Sequence, residues 1–477
     1  MLSSLLSFPV LGAICVSLVN SSKFQKQISL ISAVATFLLS VVLWLTYNAS
    51  FTKLQFIEKF SWLDALNLPL VIGVDGISIF FVVLTTFLSL LCLLSTWSVV
   101  KTRQKEFLMS FLLMETILIG VFVVTDVVWF YVLFESVLIP MFFLIGIAGS
   151  RERKIRAAYM FFVYTIAGSI LMLIAVVFLQ VRVGSTSFEV LRFFDFSSLE
   201  QKLLWFAFFL SFAGKIPMFP LHVWLPEAHV EAPTAGSVVL AGILLKLGSY
   251  GLIRVSLGIF GKISTFFLPF VFSLSSIGLV FASLTAIRQT DLKRIIAYTS
   301  VAHMNLVVLG IFSCTLQGIE GAILQSLSHG FVSSALFFCV GVVYDRYHTR
   351  LLAFYSGVAL FMPYFIAFFL FFTMANIALP GTSSFVGEFM LLLGIYKANS
   401  WACLIGSSGM ILGGAYSLWL FNRFAYGNFN YALKPMRDLV PREFLILALL
   451  ALATLFFGLY PETLLKEFRF SLLALFT

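Results

Sequence analysis

The chain has 477 residues, 61% of them hydrophobic and 11% charged, with a net charge of +9 and a mean hydropathy of +1.06. A water-soluble domain carries about 25% charged residues, so there is too little polar surface here to coat a soluble globule. The positive charge is no nucleic-acid footprint, because it sits mostly in short loops where membrane topology accounts for it. Apolar runs of roughly 18 or more residues recur along the whole length, the signal of spanning helices; barrel strands would show short alternating runs instead.

The chain opens on LLSFPVLGAICVSLV, which lacks a basic n-region and a small-residue cleavage site and reads as a first span, not a signal peptide. No Arg-rich transit peptide is visible. The pattern predicts fourteen spans, at 2–20, 28–47, 75–98, 106–124, 126–147, 157–180, 203–221, 235–257, 263–286, 293–312, 319–343, 358–396, 401–424 and 443–460. The span at 358–396 is too long for one straight helix and is interrupted by Pro380-Gly381. No soluble domain or long linker interrupts the pattern, so residues 1–477 read as one all-α polytopic membrane unit. An even span count puts both termini on one side. The odd-to-even loops then carry eighteen of the 30 Lys and Arg residues and the terminus side ten, leaving Lys215 and Lys246 inside spans. By the positive-inside rule the termini face outward and the odd-to-even loops face the cytoplasm or the mitochondrial matrix.

Five cysteines, Cys15, Cys92, Cys314, Cys339 and Cys403, stand far apart in apolar runs. Metal sites and iron–sulfur clusters need closely spaced thiolates, so no metal and no cluster is expected in this chain. No G-x-G-x-x-G follows a strand, so no nicotinamide site is expected either.

The stretch FAGKIPMFPLHVWLPEAHVEAPTAG (212–236) breaks an apolar run with Lys215, four prolines, two histidines and two glutamates. An ionisable group at mid-bilayer costs a few kcal/mol or more, on the order of 3, and marks function by default. At about 1.5 Å rise per residue, Glu135, Lys215, Lys246, His303 and His329 all fall roughly 14–18 Å deep in a core about 30 Å thick. Glu388 follows the Pro380-Gly381 break and is expected at similar depth. A lysine at that depth is too far from an interface to snorkel. Either lysine could instead be half of a static ion pair, and a single buried histidine is usually a satisfied core residue, but six groups at one level are harder to explain so. Glu115 and Asp126 read as lying near span ends, with a helix-start role open for Asp126. Asp291 and Lys293 read as an interfacial helix start, and His348 as a loop residue. The many phenylalanines imply no cofactor.

Broken helices at membrane depth are tolerated where the freed backbone is buried in protein or lines water. Pro217 and Pro220 remove donors in span seven, and Pro380-Gly381 interrupts span twelve. Such interruptions at corresponding positions of two halves point to an ion site. Spans four to eight (106–257) and nine to thirteen (263–424) are five each, with the break in the fourth of each. An odd number of spans makes the second copy enter from the opposite side, an inverted repeat. Burial disfavours the charged form of a lysine and a nearby carboxylate restores it, so Glu135 and Lys215 are expected to act as a switchable pair at one end of a proton relay.

Residues 212–254, together with ETILIGVFVVTDVVWFYVLFESVLIPMFFLIG (115–146), DLKRIIAYTSVAHMN (291–305), SLSHG (326–330) and SFVGEF (384–389), resemble the antiporter-like membrane subunits of respiratory complex I, NADH:ubiquinone oxidoreductase, in the branch numbered chain 4, or M in bacteria. The resemblance covers nearly the whole chain. It implies that Glu135 pairs with Lys215, that Lys246 is the span-eight relay lysine, that His303 and His329 belong to a hydrated chain, and that Glu388 is the span-twelve outlet, a lysine in sister subunits. It implies proton pumping here, with NAD, FMN, iron–sulfur clusters and ubiquinone held by partner subunits. The partners implied are neighbouring antiporter-like membrane-arm subunits and lipids. A subunit of a stand-alone cation/proton antiporter is the alternative function, and a scaffold with vestigial buried charges a third. The mitochondrial inner membrane is the expected location, the bacterial plasma membrane the alternative.

Overall fold

A computed structural model describes every residue except 64–67, 98–102, 150–151, 429–436 and 477; Lys101, Arg151 and Lys434, counted above among the loop charges, lie outside the described residues. The chain is built from helices in an order set by hydropathy and by its proline and glycine breaks. A first group comprises α1 (Leu2–Leu18), α2 (Ser22–Thr46), α3 (Gly76–Thr96) and α4 (Gln104–Val123). Then follow α5 (Val127–Ser136), α6 (Leu138–Ala148), α7 (Lys154–Val183), the short α8 (Phe188–Phe193) and α9 (Ser198–Lys215). After the proline-rich stretch come α10 (Trp224–Glu231), α11 (Thr234–Val239) and α12 (Leu245–Gly251). The remainder is α13 (Gly261–Phe266), α14 (Leu268–Arg288), α15 (Leu292–Ile311), α16 (Leu316–Tyr347), α17 (Pro363–Asn376), α18 (Ser383–Ala398), α19 (Ser400–Ala425), α20 (Pro441–Leu459) and α21 (Glu462–Phe476).

Among the described residues, 11 helical stretches are long and apolar enough to cross a membrane. The other three predicted stretches are helical but short or broken: α1, α9, and the α17–α18 pair. Span five is also two pieces, α5 and α6, which meet at Val137. The span around Lys246 is continuous but irregular, because π-helical turns at Leu240–Leu244 and Leu252–Leu257 flank α12.

Three features differ from the sequence expectation. A two-stranded antiparallel hairpin, β1 (Gln55–Leu63) and β2 (Leu68–Val74), joins α2 to α3. Its pattern mixes apolar and charged residues over lengths too short to register against the spans. The segment after span fourteen forms a further helix, α21. Glu115 stands in the middle of α4 and is 1% exposed, not near a span end; the turn that ends α4 lies at Val124, well past it. Asp126, by contrast, caps α5 by accepting from the Val128 amide at 2.9 Å, the helix-start role left open above.

Burial ranks the helices. The apolar window of α16 is 100% buried and that of the α11–α12 span 94%, against 22% for α20 and 33% for α2 and α19. The centre therefore runs along α16, with lipid-facing helices outside it. Helix α18 lies against α16 at backbone contact: a Cβ at Gly394 would meet Gly318 Cα at 2.3 Å, and one at Gly321 the Leu391 amide nitrogen at 2.6 Å. Small residues of this kind let membrane helices approach where no hydrophobic effect drives them together. Gly394→Leu is expected to destabilise the chain by about 3 kcal/mol, the upper end for overpacking. Gly146→Ala, where nothing lies within 4 Å, is expected to be neutral; thermal melting of the detergent-solubilised protein compares the two.

Candidate functional site

Helix α9 stops at Lys215 because Pro217 cannot donate to the carbonyl four residues back. The freed carbonyls find other partners: Ala213 accepts from the Met218 amide at 2.9 Å and Gly214 from the Trp224 indole at 2.9 Å. Opposite, α5 ends at Ser136, which leaves its last carbonyls without intrahelical donors. The Lys215 ammonium donates to one of them, Phe134, at 2.7 Å. It also stands 3.8 Å from the centre of the Phe134 ring, a cation–π contact. A cation at the C-terminal end of a helix is where the dipole favours it.

Glu135 is the next residue. Both its carboxylate oxygens are buried and make no hydrogen bond. Its charge acts on Lys215, but the two stand more than 4.0 Å apart and form no ion pair. The two groups are thus neighbours on the end of α5 with the ion pair open.

Lys246 is fully buried on α12. The π turn before it shifts backbone donors to the fifth residue back, so that the Leu245 amide bonds Leu240. The Lys246 ammonium donates to the Ala241 carbonyl at 2.5 Å and contacts His329 Nδ1 at 2.8 Å. An ammonium has no lone pair, so Nδ1 accepts and His329 carries its proton on Nε2. The His329 and His303 rings lie 5.8 Å apart, and the Nε2 of each is buried without a partner. His303 Nδ1 meets Glu388 Oε1 at 3.1 Å. The same oxygen accepts from Gln325 Nε2 at 2.8 Å, and Gln325 stands one turn before His329 on α16.

Glu388 reaches this level because α17 and α18 are separate helices. Pro380 lies between them, followed by Gly381 at φ +93, a left-handed backbone that favours glycine. A cavity of about 20 Å³ adjoins His303, Glu388, Asn376 and Tyr416. That volume is about what one water molecule requires. Of the six residues singled out above, Lys246, His329, His303 and Glu388 form one run of contacts, and Lys215 and Glu135 a second group, joined through α9 and α12 where Ile216 packs on Gly248.

Sequence reasoning left out a buried cluster next to this run. His229 on α10 is fully buried, stacks 4.6 Å from Phe337 and lies within electrostatic reach of both Lys246 and Lys293. Neither of its ring nitrogens has a hydrogen-bond partner. Lys293, at the start of α15, is 3% exposed, its ammonium donating to the Ala232 carbonyl at 2.8 Å and reaching the Ser237 hydroxyl at 3.4 Å. Arg350, 1% exposed, lies 3.8 Å from both Glu231 and Asp291 and donates to the Val230 carbonyl. Asp291 still caps α15, as its position suggested. The available signal was the density of charge within EAHVEAP, where an eight-residue helix is too short to span. Glu227, from the same stretch, pairs with Arg294 at 2.5 Å and is a third exposed.

Residues 124–413 match the family described as NADH:quinone oxidoreductase/Mrp antiporter, transmembrane. The chain is 51% identical to the NADH-ubiquinone oxidoreductase chain 4 of Marchantia polymorpha over 98% of its length and 94% of that protein's. It is 49% identical to NADH-quinone oxidoreductase subunit M of Rhodobacter capsulatus, covering 92% of this chain and 87% of that one. Its fold superposes with a TM-score of 0.92 on a chain of respiratory complex I from Thermus thermophilus solved with bound NADH, at 28% identity over 100% of this chain and 99% of that chain. With likeness along nearly its entire length, the chain belongs to the NADH:quinone oxidoreductase/Mrp antiporter family, in its chain 4 (subunit M) branch.

Proposed function

We propose that this chain is the antiporter-like, proton-translocating subunit of respiratory complex I, coupling electron transfer from NADH to quinone to proton movement along the Lys215–Glu388 axis. The observation that carries the reading is the run Lys246, His329, His303, Glu388, in which two of the three links are contacts of 2.8 and 3.1 Å and the third lies between imidazole rings 5.8 Å apart. A neutral imidazole accepts at one nitrogen and donates from the other. A proton passed from Lys246 to His329 Nδ1 makes an imidazolium whose Nε2 proton is then released toward His303. His303 in turn releases a proton from Nδ1 to Glu388.

Lys215 and Glu135 form the switch. With the ion pair open, the ammonium rests on the carbonyl and the ring of Phe134; closing it adds the carboxylate's attraction and holds the proton in place. NAD, FMN, the iron–sulfur clusters and ubiquinone belong to partner subunits in this reading, and neighbouring antiporter-like subunits and lipids surround the chain. Residues 106–257 and 263–424 form its two inverted repeats, a division supported by the interruptions at Pro217 and at Pro380-Gly381. The mitochondrial inner membrane is the location favoured by the named chain 4 relatives.

The test is proton pumping by the assembled complex in proteoliposomes, measured with NADH:quinone turnover. Lys246→Met is expected to slow both by about a hundredfold, the lower range for loss of a proton-transfer group. Lys246→Arg keeps the charge but does not release a proton near neutral pH, and is expected to be as impaired. Arginine supporting wild-type pumping would overturn the relay. Lys215→Met and Glu388→Gln are expected to impair pumping in the same way, and full activity in either assembled variant would remove that residue from the path.

A further inference from the structure

Helix α2 is inverted relative to a soluble helix. Its inward face carries Gln25, Ser29, Ser32, Thr36 and Ser40, each at most 7% exposed, spaced by 4, 3, 4 and 4 residues so that all share one side. Its outward face is apolar, with Ile31, Leu38 and Leu45 all more than half exposed. The hydroxyls of Ser29 and Ser32 donate to carbonyls three residues back at 2.9 Å, the usual arrangement for a helix packed through small residues. Packing alone does not account for Glu115, the group this face meets.

Glu115 comes from the middle of α4 and is 1% exposed. Its Oε1 accepts from Thr36 Oγ1 at 2.9 Å. Its Oε2 is buried with no hydrogen bond, and the Ser89 hydroxyl of α3 also acts on the carboxyl. No cation acts on it among the described residues. Among the described residues its charge acts on Cys92 of α3, whose thiol approaches the Ala235 carbonyl at 3.8 Å; α2 presents the Thr36 hydroxyl, and α1 presents Gly12 beside Ser32. An unpaired buried carboxylate is costly enough that such groups neutralise instead. One proton removes that charge and makes the carboxyl a donor.

The far end of the stripe opens toward the odd-to-even loops. Gln104 bonds the Ser22 carbonyl at 2.8 Å and Gln25 at 3.3 Å. A cavity of about 10 Å³ lies among Lys26, Ser29, Thr96 and Gln104, near the size one water fills. We propose that Glu115 is a proton-binding site, separate from the Lys215–Glu388 axis, that exchanges protons with water on the odd-to-even loop face along the hydroxyl stripe of α2. The step is R–COO⁻ + H⁺ → R–COOH, with the Thr36 hydroxyl donating to Oε1 and the new O–H available to Ser89.

The test is infrared difference spectroscopy of the purified complex in lipid, near neutral pH, in H₂O and after transfer to D₂O. Wild-type complex is expected to show a protonated-carboxyl C=O band that vanishes in Glu115→Gln and shifts in frequency in Glu115→Asp. The second variant serves where the first does not assemble. The band is expected to shift to its deuterated position within minutes in wild type, and about fivefold or more slowly in Thr36→Val, one hydrogen bond's worth of barrier. If Glu115→Gln removes only carboxylate bands, or if the wild-type band stays unshifted for hours in D₂O, the site as described does not exist. An exchange rate unchanged in Thr36→Val overturns the route along α2. Because these readouts do not depend on pumping, their failure leaves the Lys215–Glu388 relay untouched.

Discussion

Lys215 and Lys246 both rest on backbone carbonyls. Lys215 sits on the carbonyl of Phe134, exposed where α5 ends. Lys246 sits on the carbonyl of Ala241, in the π turn one helical step before it. In hydrocarbon every polar group needs a partner within the protein, and a regular helix has no carbonyl to spare. Interrupting or widening a helix releases one, so the irregular backbone and the buried ammonium stabilise each other. This constraint explains why proline, π turns and charge occur together here, and why the breaks lie beside the lysines.

Holding a lysine on a neutral carbonyl rather than in an ion pair has a functional consequence. A tight buried ion pair would fix the proton, because separating the charges in a low dielectric is expensive. With Glu135 adjacent but unpaired, the ammonium of Lys215 is held by a weaker and reversible contact. The run from Lys246 to Glu388 extends the same logic through imidazoles. It depends on the close approach of α16 and α18, since His329 and Gln325 come from one helix and Glu388 from the other. The glycines that allow backbone contact there set the register between His329 and Gln325 on α16 and Glu388 on α18.

Around this axis the chain buries charge in compensated groups. Arg350 stands between Glu231 and Asp291, and Lys293 beside His229 has carbonyl and hydroxyl partners. The short helix α10 that carries His229 and Glu231 is held between two prolines, and its residues link the α15 start to the centre of α16. Glu115 differs from these groups in that the side chains acting on its carboxyl are hydroxyls, those of Thr36 and Ser89.

Much of the molecule was legible from residue order alone. The long apolar helices follow from hydropathy, because each depends only on neighbours in the chain. The breaks at Pro217 and Pro380-Gly381 are equally local, since a missing amide donor acts within one turn. The hairpin at 55–74 was missed because half-apolar strands imitate loop segments between long spans. Which groups meet was decided by tertiary structure: Lys215 touches Phe134 rather than Glu135, His329 faces Lys246 through Nδ1, and Lys293 is buried though it stands at a helix start. Contacts of this kind depend on how helices far apart in the chain pack and rotate against one another, and no local pattern records that rotation.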